Sequence, residues 1–135
     1  VSKILDLKID FDLFFGPAYK GIPLASVVAT KYFEETKKNI PLAFDRKEEK
    51  GHGERGTIMG NLEGKKAFLI DDVLTAGTAI KNSIDIIERN KGTFVGALVA
   101  LDREESYDSK KTFKEFYAEQ GIKIHSLAKI SDLKK

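Results

Sequence analysis

The stretch AFLIDDVLTAGTAIKNS, residues 67–83, joins a run of large apolar residues to two adjacent acids and then to a loop of small side chains. The apolar run reads as a buried strand that delivers Asp71 and Asp72 to its carboxyl end. The loop Thr75, Ala76, Gly77, Thr78 and Ala79 leads straight into a helical pattern with Ile80, Ile84 and Ile87 on one face. Successive backbone N–H groups in such a loop, together with the positive end of the helix dipole, form a concave cradle for a phosphate. Small side chains let the anion approach, and Thr75 and Thr78 add hydroxyl donors. Two neighbouring carboxylates suit sugar hydroxyls or a hydrated magnesium ion. A P-loop would need G-x-x-x-x-G-K-[ST], and no such string occurs. A receiver-like pocket also places paired acids near strand ends, but it has no need of the small-residue loop. A capped turn with solvated acids is the plain structural alternative.

A second stretch invites a different chemistry. DRKEEKGHGERG, residues 45–56, carries Gly51, Gly53 and Gly56 at the G-x-G-x-x-G spacing of dinucleotide sites. That fingerprint must follow a strand and open a helix, whereas these glycines follow RKEEK and precede TIMG, which reads as a strand. Arg46, Lys47, Lys50 and Arg55 balance Asp45, Glu48, Glu49 and Glu54, so the segment is near-neutral apart from His52. It reads as a polar, glycine-hinged lid: loose when empty, and ordered when its cations meet an anionic ligand. A solvated connecting loop is its plain alternative.

The elements that must position these residues follow from apolar runs and breakers. FDLFF (11–15) is a short buried strand closed by Gly16-Pro17. The helix after Pro23 carries Leu24, Val27, Val28 and Tyr32 and ends at Lys37-Lys38-Asn39. PLAF (41–44) and TIMG give short strands, and AFLI (67–70) is a central buried one. TFVGALVAL (93–101) is another, followed by a helix with Phe113, Phe116 and Tyr117 that ends near Gly121; IKIHSL is the last strand. The alternation predicts an α/β fold, a mainly parallel twisted sheet flanked by helices, with its sites at the carboxyl ends of the strands. His125 reads as a strand residue and Lys134-Lys135 as a frayed end.

Length and composition bound the rest. A chain of 135 residues supports one domain, and 41% apolar with 33% charged residues reads as a globular protein. Cysteine is absent, which removes disulfides and thiolate chemistry and is compatible with a reducing cytoplasm. A net charge of +2 gives no global basic field, so nucleic-acid binding is not expected. No apolar run approaches a membrane span, and the N-terminus lacks a secretion-type core.

IDDVLTAGTA closely resembles the phosphoribosyl-diphosphate (PRPP) signature of the type I phosphoribosyltransferases. Within that family FFGPAYKGIPLA, FDRKEEKGHGERG and LDREE resemble the orotate phosphoribosyltransferases, four segments in matching order from about residue 9 to about residue 130. The resemblance implies the type I phosphoribosyltransferase fold and transfer of ribose 5-phosphate from PRPP to orotate, a step of pyrimidine biosynthesis, with Mg2+, in a cytoplasmic homodimer. It implies that Asp71 and Asp72 hold the ribose hydroxyls and that the signature from Asp71 to Ala79, Val73 and Leu74 included, contacts PRPP. Thr75 to Ala79 would bind the 5-phosphate, Tyr19 and Lys20 the diphosphate, and Thr75 and Arg103 the orotate. A non-proline cis bond is expected in the turn that bears Tyr19.

Arg46, Lys47, Lys50 and His52 would contact PRPP, some reaching into the neighbouring subunit's site. Asp71, Asp72, Lys50 and His52 would carry the catalytic charge. Magnesium would be bound through PRPP and water near the two aspartates, with no direct protein ligand expected. Gly51 and Arg55 stand where the family carries an acid and a glycine. The family also has an N-terminal hood, with a lysine and an aromatic pair over the base, that nothing before Val1 supplies. The expected organisation is thus a single phosphoribosyltransferase domain over 1–135, N-terminally incomplete. A transferase for another base and a PRPP-sensing regulator of the same fold are the alternatives.

Overall fold

A computed structural model describes residues 1–46, 57–75 and 78–133. Six strands form one sheet: β1 (Leu13–Gly16), β2 (Leu42–Arg46), β3 (Thr57–Met59), β4 (Lys66–Leu74), β5 (Thr93–Asp102) and β6 (Ile124–Lys129). Their spatial order is β3-β2-β1-β4-β5-β6, parallel throughout except for the antiparallel β2–β3 pair at one edge. The helices are α1 (Ser2–Leu7), α2 (Gly21–Thr36), α3 (Thr78–Arg89), α4 (Phe113–Glu119) and α5 (Ile130–Leu133).

Strand periodicity sorts the core into two halves, because successive side chains leave opposite faces of a sheet. Phe14, Phe68, Ile70 and Leu98 pack on one face against Ile4 of α1 and Ala25 and Tyr32 of α2. Leu13, Phe15, Ala67, Leu69, Ala97 and Val99 pack on the other against Ile80 and Ile87 of α3 and Tyr117 of α4. Both faces are covered, which is why the central strands read as unbroken apolar runs rather than alternating ones. On the first face Phe14 sits among Phe11, Tyr32 and Phe68 at ring separations of 4.9, 5.7 and 6.5 Å. Each such ring contributes about 1.5–3 kcal/mol by leaving water.

Three expectations are corrected. The strand expected over 67–70 runs on to Leu74, since β4 keeps pairing with β5 as far as Asp102, and Asp71 and Asp72 therefore lie inside a paired strand. The loop expected over 75–79 ends sooner, because α3 already starts at Thr78. Val27, expected on the apolar face of α2, is 60% exposed. The helix instead turns Gly21, Ala25 and Tyr32 inward, small residues at its start letting it sit close to β1. A Cβ on Gly16 would lie 2.6 Å from the Gly21 carbonyl oxygen and 3.1 Å from the Ala25 Cβ.

His125 lies in β6, half-buried, and burial followed by the charges of Lys114, Lys3 and Lys123 lowers its pKa. Among the described residues no helix is long and apolar enough to cross a membrane.

Candidate functional site

After β1 the chain passes through α2 to β2 on one side, and later crosses to β4 on the other side of β1. The carboxyl ends of β1 and β4 therefore flank a topological switch point, the place where an open parallel sheet leaves a crevice for a ligand. The turn after β1 contributes Pro17 to Lys20, with a cis peptide bond between Ala18 and Tyr19. The cis bond falls where the family resemblance implies one.

Glycine makes the meeting of these two strand ends possible. A Cβ on Gly21 would lie 2.5 Å from the Pro17 ring, 2.9 Å from the Ile70 carbonyl oxygen and 3.3 Å from Oδ1 of Asp71. The start of α2 thus rests directly on the end of β4, which brings Lys20 within electrostatic reach of Asp71. Tyr19 and Lys20 are both exposed above this contact.

Asp71 and Asp72 are half-buried, and the Asp72 backbone N–H donates to Oδ1 of Asp71 at 2.8 Å. Burial pushes the pKa of Asp71 up to about 6. The bond from the Asp72 backbone opposes that rise, the Asp72 side chain adds to it, and the positive charge of Lys20 opposes it. A carboxyl that titrates near neutrality and faces a lysine is a group whose charge a ligand can adjust.

Beyond the aspartates, Val73 is half-buried and Leu74 is fully buried in the core, so the Leu74 side chain is not available to a ligand. Thr75 is half-buried, and Thr78 and Ala79 are exposed on the first turn of α3. Ala76 and Gly77, expected in the phosphate cradle, lie outside the described residues, as do Lys47, Lys50 and His52. Arg46 is the last residue of β2 and is exposed. The segment after it lies between two strands, β2 and β3, so the glycine spacing is not followed by the helix a dinucleotide fingerprint requires.

Arg103 immediately follows β5. Its backbone N–H donates to the Leu74 carbonyl at 3.1 Å, which fixes it beside the end of β4, and its Nε lies 3.7 Å from a carboxylate oxygen of Glu105. The carboxyl ends of β2, β1, β4 and β5 thus set Arg46, the Tyr19–Lys20 turn, Asp71, Asp72, Thr75 and Arg103 along one rim of the sheet. Among the described residues no group of three or more acids and histidines could hold a metal ion without help.

Sequence reasoning overlooked the residues that hold this rim in place. Asp45 is buried and accepts the Ala18 N–H at 2.9 Å. Asp102 is buried and accepts the Glu104 N–H at 2.8 Å, with Glu104 in the left-handed region at φ 55°. Glu104 in turn accepts the Ser131 N–H at the start of α5. The available signal was a single acid closing an otherwise apolar strand, as in PLAFD and LVALD.

A model of the family described as phosphoribosyl transferase domain matches residues 1–128. An orotate phosphoribosyltransferase of Xanthomonas campestris pv. campestris is 47% identical over 129 residues, which are 93% of this chain and 58% of that protein. One from Salmonella paratyphi A is 42% identical over 131 residues, 96% of this chain and 62% of its own. The crystal structure of the Francisella tularensis orotate phosphoribosyltransferase superposes with a TM-score of 0.80 at 28% identity, covering 98% of this chain and 63% of that one. The chain therefore spans about three fifths of the length of these relatives. The match along nearly all of its residues, on a sheet whose strand ends meet as described, means that the chain belongs to the phosphoribosyl transferase domain family.

Proposed function

We propose that the protein transfers the 5-phosphoribosyl group from PRPP to orotate, giving orotidine 5'-phosphate and pyrophosphate in pyrimidine biosynthesis. The observation that carries this reading is the junction at the switch point, where the Tyr19–Lys20 turn rests against Asp71 through Gly21. That arrangement supports a ligand with a diphosphate on one side of its sugar and a 5-phosphate on the other, reaching toward the start of α3. The named relatives support orotate as the second substrate.

Breaking the bond between the anomeric carbon and pyrophosphate builds positive charge on the ribose ring and negative charge on the leaving group. Asp71 and Asp72 hold the ring hydroxyls where the positive charge develops, and Lys20, Arg46, Lys47, Lys50 and His52 stabilise the departing anion. Thr75 to Ala79, Ala76 and Gly77 among them, would bind the 5-phosphate, with Val73 and Leu74 leading into that loop and contacting PRPP. Thr75 and Arg103 hold the orotate, with the guanidinium suited to a bidentate grip on its carboxylate.

Two half-buried carboxylates near the end of a strand fit a hydrated Mg2+, a hard cation that would be held through PRPP and water rather than by a direct protein ligand. When bound, the ion neutralises charge on the leaving group. A cytoplasmic homodimer, with residues of the 47–56 segment serving the neighbouring subunit's site, and a single domain over 1–135 complete the proposal.

The test is orotate consumption with PRPP and Mg2+, beside calorimetric titration with PRPP alone. Turnover with PRPP binding is expected. Binding without turnover would favour the PRPP-sensing regulator, and neither would sink the reading.

A further inference from the structure

We infer that Asp45 is a positioning residue that sets the turn bearing Tyr19 and Lys20, and through it the hold on the donor's diphosphate; the identity of that anion rests on the function proposed above. Asp45 is the second-last residue of β2, and it is only 6% exposed although it closes a strand at the site rim. Its Oδ1 accepts the Ala18 N–H at 2.9 Å from a turn 27 residues earlier in the chain. Two backbone bonds of that turn are local, from Gly21 to the Pro17 carbonyl at 3.0 Å and from Ile22 to the Tyr19 carbonyl at 3.3 Å. Those bonds shape the turn, whereas Asp45 ties it to the neighbouring strand.

The choice of an acid is informative. A buried carboxylate beside an intended anion site repels the ligand, so its negative charge is of no use to binding. What it does offer is an acceptor of the right reach for the half-buried Ala18 amide, and an amide shielded from water and left without an acceptor is costly. Asparagine offers the same acceptor without the charge. The role is therefore one of geometry, and it separates from a charge effect by the conservative substitution.

The experiment compares the parent protein with Asp45→Ala and Asp45→Asn in steady-state kinetics for each substrate and in peptide-level amide hydrogen exchange over residues 17–22. Asp45→Ala should lower kcat/KM for PRPP about tenfold or more while KM for orotate changes little, as expected for loss of one buried acceptor under the donor. Exchange in the turn should quicken. Asp45→Asn should stay within about threefold of the parent in both measurements, since the acceptor is retained. If Asp45→Ala does not fold, Asp45→Ser, whose hydroxyl falls short of Ala18, takes its place with the same expectation.

The inference is overturned if the turn exchanges at the parental rate in Asp45→Ala, or if Asp45→Asn loses as much PRPP turnover as Asp45→Ala. Should the parent neither bind nor process PRPP, the proposed function falls, and the exchange result still decides whether Asp45 holds the turn.

Discussion

Asp45 and Asp102 are both buried at the carboxyl rim of the sheet, and each accepts one backbone N–H, yet they organise their loops in different ways. Asp102 bonds to Glu104, two residues on, in the local Asx pattern that a loop can form as soon as its own strand ends. Asp45 bonds to a turn that left the sheet 27 residues before, so that turn is in place only when β1 and β2 are already paired. The loop after β5, which carries Arg103, takes its turn from its own strand's last residue and is tied further by the Arg103 N–H to Leu74 and by Glu104 to Ser131. The turn after β1, which carries Tyr19 and Lys20, depends on the assembled sheet. Damage to the first should stay with the base, and damage to the second should reach the donor.

The most severe way to break the donor side is to remove charge from it. Asp72→Asn and Lys50→Ala should each lower turnover on the order of 10²-fold or more while the thermal midpoint moves little. Equal turnover in purified parent and variants would remove these residues from the mechanism.

Gly21→Ala tests whether donor-side geometry matters as much as donor-side charge. The new methyl meets the Pro17 ring and the Ile70 backbone at distances that force a shift. A loss of about 1–3 kcal/mol in denaturant unfolding is expected, with PRPP binding weakened more than orotate binding. Gly64→Ala is the control, since nothing lies within 4 Å of a Cβ there and only its φ of +71° is unfavourable.

Asp102→Ala probes the other region. It strips the acceptor from the Glu104 amide, with an expected cost of about 1–3 kcal/mol, and should raise KM for orotate while leaving KM for PRPP near the parental value. The reverse split would mean that the two loops are coupled and the contrast between them is wrong.

The gentlest test is titration. Asp71 has its folded pKa raised to about 6 from an unfolded value of 3.8, mainly by burial. The native state therefore holds its proton more tightly, and the stability this group contributes is fully present below 3.8 and lost as pH rises through about 6. PRPP affinity should run the opposite way and strengthen as the carboxylate forms through about pH 6. Because Lys20 lowers this pKa, Lys20→Ala should move the Asp71 carboxyl titration, followed by carbon NMR, to higher pH. An unmoved titration would separate the turn from β4.

The apolar skeleton was legible in the sequence because both faces of the sheet are covered: FDLFF, AFLI and TFVGALVAL have no exposed side to dilute their signal. The junction of β4 with α3 was legible because two acids, small residues and a helix start occur in one contiguous string. What spacing alone could not give was where β4 ends, since its pairing through Leu74 depends on β5, a partner supplied from elsewhere in the chain. The same holds for α2, where Tyr32 is buried as its spacing predicts but the close approach of Ala25 to Gly16 turns Val27 outward. Asp45 was counted in the sequence as one charge among eight in a polar segment. Its long-range bond belongs to tertiary structure and has no local signature.

The pairing of Arg46 with Thr57 across the β2–β3 edge gives the segment 47–56 a closed stem, with entry and exit at a single place on the sheet. Closure entropy grows only slowly with length, about 0.6 kcal/mol for each doubling. Inserted or deleted residues between Arg46 and Thr57 should therefore leave the β2–β3 register unchanged, since the pairing that joins them is made by the two strands themselves.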